Sequence, residues 1–167
     1  ACHGAALDGQ NIPPGPPPRN SAPNRSRSFV FCSAESTSPI PAVTARRAAG
    51  RYALIHSVDR MSLAQELDRL VPDGVRQAVL IQVNCSGEPQ KGGVEPGELP
   101  ALLDEVVGCR RLEVRGLMTM AELTDDAGRQ RAAFRMLRGL RDVAIAAGHA
   151  MPELSMGMSS DFEVAVE

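Results

Sequence analysis

The chain has 167 residues, of which 43% are hydrophobic and 3% aromatic, with no Trp and a formal net charge of −2. That is room for one ordinary domain with an aliphatic core, and the balance of charge argues against an electrostatic claim on nucleic acid or on an anionic membrane. Cys2, Cys32, Cys85 and Cys109 form no Cys-x-x-Cys pair, so neither a zinc site nor a disulfide scaffold is expected. With no long apolar run and no signal pattern, a soluble cytoplasmic protein is expected.

Residues 1–44 carry most of the prolines, among them Pro13, Pro14, Pro16, Pro17 and Pro18, together with many Ser, Asn and Gly. Their one apolar cluster is Phe29 to Cys32. Such a stretch cannot bury enough surface to offset its ordering entropy, and the reading is a disordered segment. The domain proper is expected from residue 45 to 167.

There, β-type apolar runs alternate with amphipathic ones. Tyr52 to Val58 reads as a strand, followed by a helix capped by Asp59 or Ser62 that runs to about Val71 and stops before Pro72. Val79 to Asn84 is nearly all apolar, as suits a strand buried on both faces. Pro96 to Val107 is a helix with Pro at its start and Gly108 past its end. Leu112 to Met120 is the next strand. The helix from about Asp125 to Ala147 places Ala133, Met136, Leu137, Leu140, Ala144 and Ala147 on one stripe. Glu153 to Gly157 is a fourth strand, and a helix begins at Asp161.

Four βα units in succession predict a parallel sheet with helical crossovers, either a doubly wound sheet or a barrel. No Gly-x-Gly-x-x-Gly follows any strand, which removes the main dinucleotide cue. Four units are half of an eight-fold barrel, whose function sits where strands end. Those points are His56-Ser57, Asn84-Cys85-Ser86, Met118-Thr119-Met120 and Ser155 to Ser159. Small residues and hydroxyls in the last can accept an anion such as phosphate, although an ordinary strand-to-helix junction capped by Ser160 or Asp161 fits the same residues.

Lys91 is the sole lysine of the chain. It lies in the Gly-rich loop Cys85 to Gly93, where bonds to nearby carbonyls or to Glu88 explain it better than a Schiff-base role. His56 reads as a packed or hydrogen-bonded residue rather than a general base. Nothing near Cys85 lowers its pKa. No metal-ligand spacing stands out.

Taken together, IHSVD (Ile55 to Asp59), VLIQVN (Val79 to Asn84), Glu88 with Lys91 to Val94, RGLMTM (Arg115 to Met120) and LSMGMSSDFEVAVE (Leu154 to Glu167) resemble the YggS-like pyridoxal phosphate homeostasis proteins. The resemblance runs from about Ala45 to the C-terminus. It implies part of a (β/α)8 TIM barrel like that of alanine racemase, covering the fourth to seventh strands. It also implies binding of pyridoxal 5′-phosphate (PLP) without established turnover, in storing, delivering or buffering the cofactor. Ser155, with Gly157 and Ser159 beside it, would hold the phosphate, and Met118 and Met158 would lie near the cofactor.

The departures are as specific. Nothing here matches the family's Schiff-base lysine on the first strand, its third-strand motif, or the Arg and Gly-Thr of its eighth strand. Lys91 matches a loop lysine instead. The expectation is therefore a chain truncated at both ends, with 1–44 a foreign or frame-shifted stretch, and PLP bound non-covalently at best. Two other readings stay open: a non-functional fragment, and the remnant of a racemase-type PLP enzyme. Open barrel edges predict self-association, and the only other partner expected is the small-molecule cofactor, with no nucleic acid and no membrane.

Overall fold

Short strands, the central ones buried along nearly their whole length, build a parallel sheet with helices on one side. The structure is a computed structural model; it describes residues 29–30 and 42–167, with side chains from Ala45 onward. The elements in order are β1 (Phe29–Val30), α1 (Ala42–Ala48), β2 (Leu54–Val58), α2 (Met61–Leu70), β3 (Gln77–Gln82), α3 (Leu99–Val106), β4 (Leu112–Met118), α4 (Ala127–Ala146), β5 (Glu153–Ser155) and α5 (Phe162–Val166). All strand pairs are parallel, and the spatial order is the chain order, β1-β2-β3-β4-β5. A doubly wound sheet reverses its strand order at a switch point. A sheet that adds each strand on the same side does not, so the sequential order selects the barrel type.

The four βα units from β2 to α5 follow the sequence reading, with shifted ends. β1 is an addition. It pairs with β2, Phe29 opposite Leu54 and Val30 opposite Ile55, within the segment read as disordered; α1 likewise starts at Ala42, ahead of the expected boundary. The rest of 1–41 lies outside the described residues.

Local chemistry sets the ends. The α2 cap position is Arg60, with no side-chain cap, so neither Asp59 nor Ser62 does the expected job. Asp59 instead accepts a 2.6 Å bond from Arg60 Nη1. Val71 closes α2 in an extended conformation, as a residue before proline must. Pro96 lies in a turn ahead of α3, and Pro100 takes the first-turn position. α4 is capped by the Asp126 carboxylate, which accepts from Gly128 N at 2.8 Å and Arg129 N at 3.3 Å. β5 stops at Ser155, two residues short of the expected end, because Gly157 has φ +87° and leaves the extended region.

Side chains of a strand alternate between faces. On the helix side, Val79, Ile81 and Leu117 meet Leu63, Leu67, Leu103 and Leu137 in the main core. On the other side, Leu54, Leu80 and Met118 form a separate small cluster. The sequence-read stripe on α4 is partly corrected: Ala133, Phe134, Leu137 and Ala144 are buried, whereas Met136 and Ala147 are exposed.

One side-chain bond reveals the curvature of the sheet. His56 on β2 and Ser155 on β5 are 2.8 Å apart, Nδ1 to Oγ. Three strand spacings separate β2 from β5, about 14 Å in a flat sheet at ~4.8 Å each. An imidazole and a serine cannot span that. The sheet must curl so that its inner face brings first and last full strands together, as the wall of a closing barrel does.

Candidate functional site

The inner face of this arc holds a cleft of about 480 Å³, lined among others by Leu54, His56, Leu80, Glu153, Ser155 and Met156. That size is within the usual range for small-molecule pockets. One wall is aliphatic and the other polar. His56 is buried, and burial pushes its imidazole below its ordinary pKa, an effect that the Glu153 charge partly offsets. Glu153 is itself held by Arg115 at 2.8 Å.

The expected site residues fall into three places. Ser155 is in the cleft, its hydroxyl on His56 and its carbonyl accepting from Thr119 N at 3.1 Å. Gly157, Met158 and Ser159 follow in the turn to α5. A Cβ on Gly157 would lie 2.8 Å from Ala165 Cβ and 3.0 Å from Phe162 Cα, so this glycine allows close packing of α5. Met158 is half-buried, with its N–H donated to the Asp161 carboxylate, and Ser159 is exposed. Met118 is buried in the cluster with Leu54 and Leu80, two residues that also line the cleft.

Two expected strand ends move. His56 and Ser57 lie inside β2, and of the two only His56 lines the cleft. Asn84, Cys85 and Ser86 lie past β3 in a loop tied internally. Asn84 Nδ2 donates to Glu88 O at 3.2 Å and Glu95 Oε1 at 3.1 Å, and Ser86 Oγ donates to Asn84 Oδ1 at 3.2 Å. Lys91 closes the same loop, with Nζ 2.5 Å from Glu88 Oε2 and 2.7 Å from Ala121 O. The hydrogen bond and charge from Lys91 hold the Glu88 carboxyl below the usual range, against a smaller opposing effect of burial. The single lysine is thus a loop clasp. Leu54, Leu80 and Glu153 are lining residues that sequence reasoning missed; for Glu153, its place on alternate positions with Ser155 was the available signal.

Burial pushes both the Cys85 and Cys109 thiols up. At pH 8 both are expected to resist iodoacetamide until the protein is denatured, read by peptide mass mapping. Rapid labelling of Cys85 in the native chain would contradict its place behind the β3 end.

Residues 33–166 match the profile of the family described as alanine racemase, N-terminal domain. The chain belongs to that family. A pyridoxal phosphate homeostasis protein of Aquifex aeolicus is 45% identical over 120 residues, covering 71% of this chain and 53% of that protein. One of Pseudomonas aeruginosa is 40% identical over 129 residues, covering 77% and 55%. The chain therefore spans about half the length of the curated relatives it matches. The solved structure of PipY from Synechococcus elongatus with PLP bound is 33% identical, with a TM-score of 0.68, covering 77% of this chain and 61% of PipY. Alanine racemase of Clostridium difficile, at 12% identity and a TM-score of 0.61, shows the shared fold alone. The resemblance to the YggS-like proteins holds, and so does the barrel-type fold. The family match starts at residue 33, twelve residues before the boundary that composition suggests. Among the described residues of this family member, no helix is long and apolar enough to cross a membrane.

Proposed function

We propose that this chain is a PLP-binding barrel segment that holds the cofactor non-covalently and serves PLP homeostasis without turnover of its own. The observation that carries the reading is Ser155, a hydroxyl fixed in a half-apolar cleft on the inner face. The residues there fit the group. Leu54, Leu80 and Met156 offer an apolar wall for a flat ring, with Met118 behind them and Met158 in the adjoining turn. Ser155 and Ser159 offer hydroxyls for the phosphate, and Gly157 bends the chain between them. When bound, PLP supplies an aldehyde for amines. Lys91 is not placed to meet it, since its ammonium is already engaged by Glu88 and the Ala121 carbonyl. The name of the curated relatives and the PLP in the PipY structure support the same cofactor.

The test is a calorimetric titration with PLP, followed by dialysis, borohydride treatment and peptide mass mapping. Expected are saturable binding, complete loss of PLP on dialysis and an unmodified Lys91. Absence of saturable binding overturns the cofactor reading, and a reduction-stable adduct on Lys91 overturns the non-covalent one.

A further inference from the structure

We propose that His56 is a positioning residue that aims the Ser155 hydroxyl into the cleft, and that the pair thereby selects a phosphate dianion over an uncharged group. This rests on the reading of Ser155 as the phosphate contact.

The argument begins with the proton inventory. A serine hydroxyl has one proton to give and lone pairs to receive. His56 Nδ1 lies 2.8 Å from Ser155 Oγ, so one of the two donates to the other. If Nδ1 accepts, the serine proton is spent on the imidazole, and Ser155 shows only lone pairs to the cleft. A phosphate dianion, which has acceptors and no donor, is then repelled. If Nδ1–H donates, the serine proton is released for the cleft, and a dianion is welcome. The two arrangements are tautomers of a neutral ring, and burial of His56 favours neutrality over the imidazolium. Switching between them moves no net charge through the site.

Other contacts leave the hydroxyl direction as the variable. The Ser155 backbone is pinned by β-pairing with Met118 and by the bond from Thr119 N to its carbonyl. Leu54 and Leu80, both buried, line the same cleft as the pair and bring no polar group of their side chains to compete for the hydroxyl. Glu153, the charge felt by His56, is held by Arg115. A His56 that merely tied β2 to β5 would support every ligand alike. A His56 that orients Ser155 matters only for ligands with a phosphate.

The experiment compares dissociation constants for PLP and pyridoxal, which lacks the phosphate, on the full chain and on Ser155→Ala, His56→Leu and His56→Asn. Expected is a parent preference for PLP. Ser155→Ala and His56→Leu should each weaken PLP on the order of tenfold, as for a hydrogen bond to a charged group, and leave pyridoxal unchanged. The two together should cost no more than either alone, since they act as one unit. His56→Asn keeps an N–H donor near Nδ1 and should retain most of the preference. Independently of any variant, ¹⁵N shifts of the parent should move to the Nδ1–H tautomer as PLP is added. Equal losses for PLP and pyridoxal in His56→Leu, an Asn variant no better than Leu, or unmoved ¹⁵N shifts would overturn the proposal while Ser155→Ala upholds the phosphate reading. A parent indifferent to the phosphate, or a Ser155→Ala variant that keeps its preference, shows instead that the phosphate reading itself is at fault, and the role of His56 falls with it.

Discussion

A Gly116→Ala variant is expected to unfold at markedly lower denaturant than the parent, with a loss of about 3 kcal/mol, the upper end of ordinary overpacking. A Cβ placed on Gly116 would sit 1.8 Å from the Glu153 carbonyl oxygen and 2.7 Å from its carbon. Those are backbone atoms of the neighbouring strand, not the movable tip of a side chain. Gly116 is paired with Glu153, next to Leu117 with Leu154 and Met118 with Ser155. The methyl group must therefore push all of β5 away from β4, and β5 has no other partner strand among the described residues. Ser155 leaves with it, and so does the bond to His56. Hydrogen exchange gives the local readout: the Thr119 amide, which donates to Ser155 O, should lose its protection before the amides between β2 and β3 do. A variant with parental denaturation midpoint and intact Thr119 protection would mean that the β4–β5 register is wrong.

The same pairing shows where sequence patterns run out. The apolar run of β3 was legible, but its two ends were not. The apolar run reads as starting at Val79, whereas β3 starts at Gln77, which is polar and yet buried. Its Nε2 donates to Tyr52 O at 3.0 Å, and its Oε1 accepts from Gly50 N at 3.1 Å. A satisfied amide is free to enter a core, and no pattern of apolar residues announces it. At the other end, Val83 leaves the strand to bridge Val94, a partner supplied by a loop. β1 has two residues, too few for any period to be read.

The site was legible in part, and for a definite reason. Gly and Ser punctuate a strand end, so the Ser155 to Ser159 turn stood out. The partner of Ser155 did not. His56 is 99 residues away in the chain, and only the curl of the sheet brings them together. A lone histidine on a strand carries no mark of that contact, and reading it as a hydrogen-bonded residue stops short of naming the partner. Lys91 is the opposite case. Glu88 lies three residues before it on a tight loop, so its engagement was local and could be anticipated.

Leu137→Ala is expected to cost about 3 kcal/mol, and Met136→Ala, one residue away, no more than about 0.5 kcal/mol. Both residues sit on the apolar stripe that spacing assigns to α4, and spacing alone would give them equal weight. The structure separates them. Leu137 has no exposed surface and meets the sheet side of the main core with Ala133 and Phe134, whereas Met136 is 45% exposed. A stripe of helical period fixes which residues are neighbours on the helix, but the rotation of the helix against the sheet decides which half of that stripe is dry. On α4 it is the half nearer Phe134. Truncating Leu137 leaves a cavity beneath a 20-residue helix that cannot close without moving neighbours packed against the sheet. Truncating Met136 removes a side chain that water already reaches. Urea denaturation of the two single variants, analysed with a common slope, checks the contrast directly. Equal losses would mean that α4 is rotated about its axis toward the Met136 face, and that the Phe134 side is not its inner one.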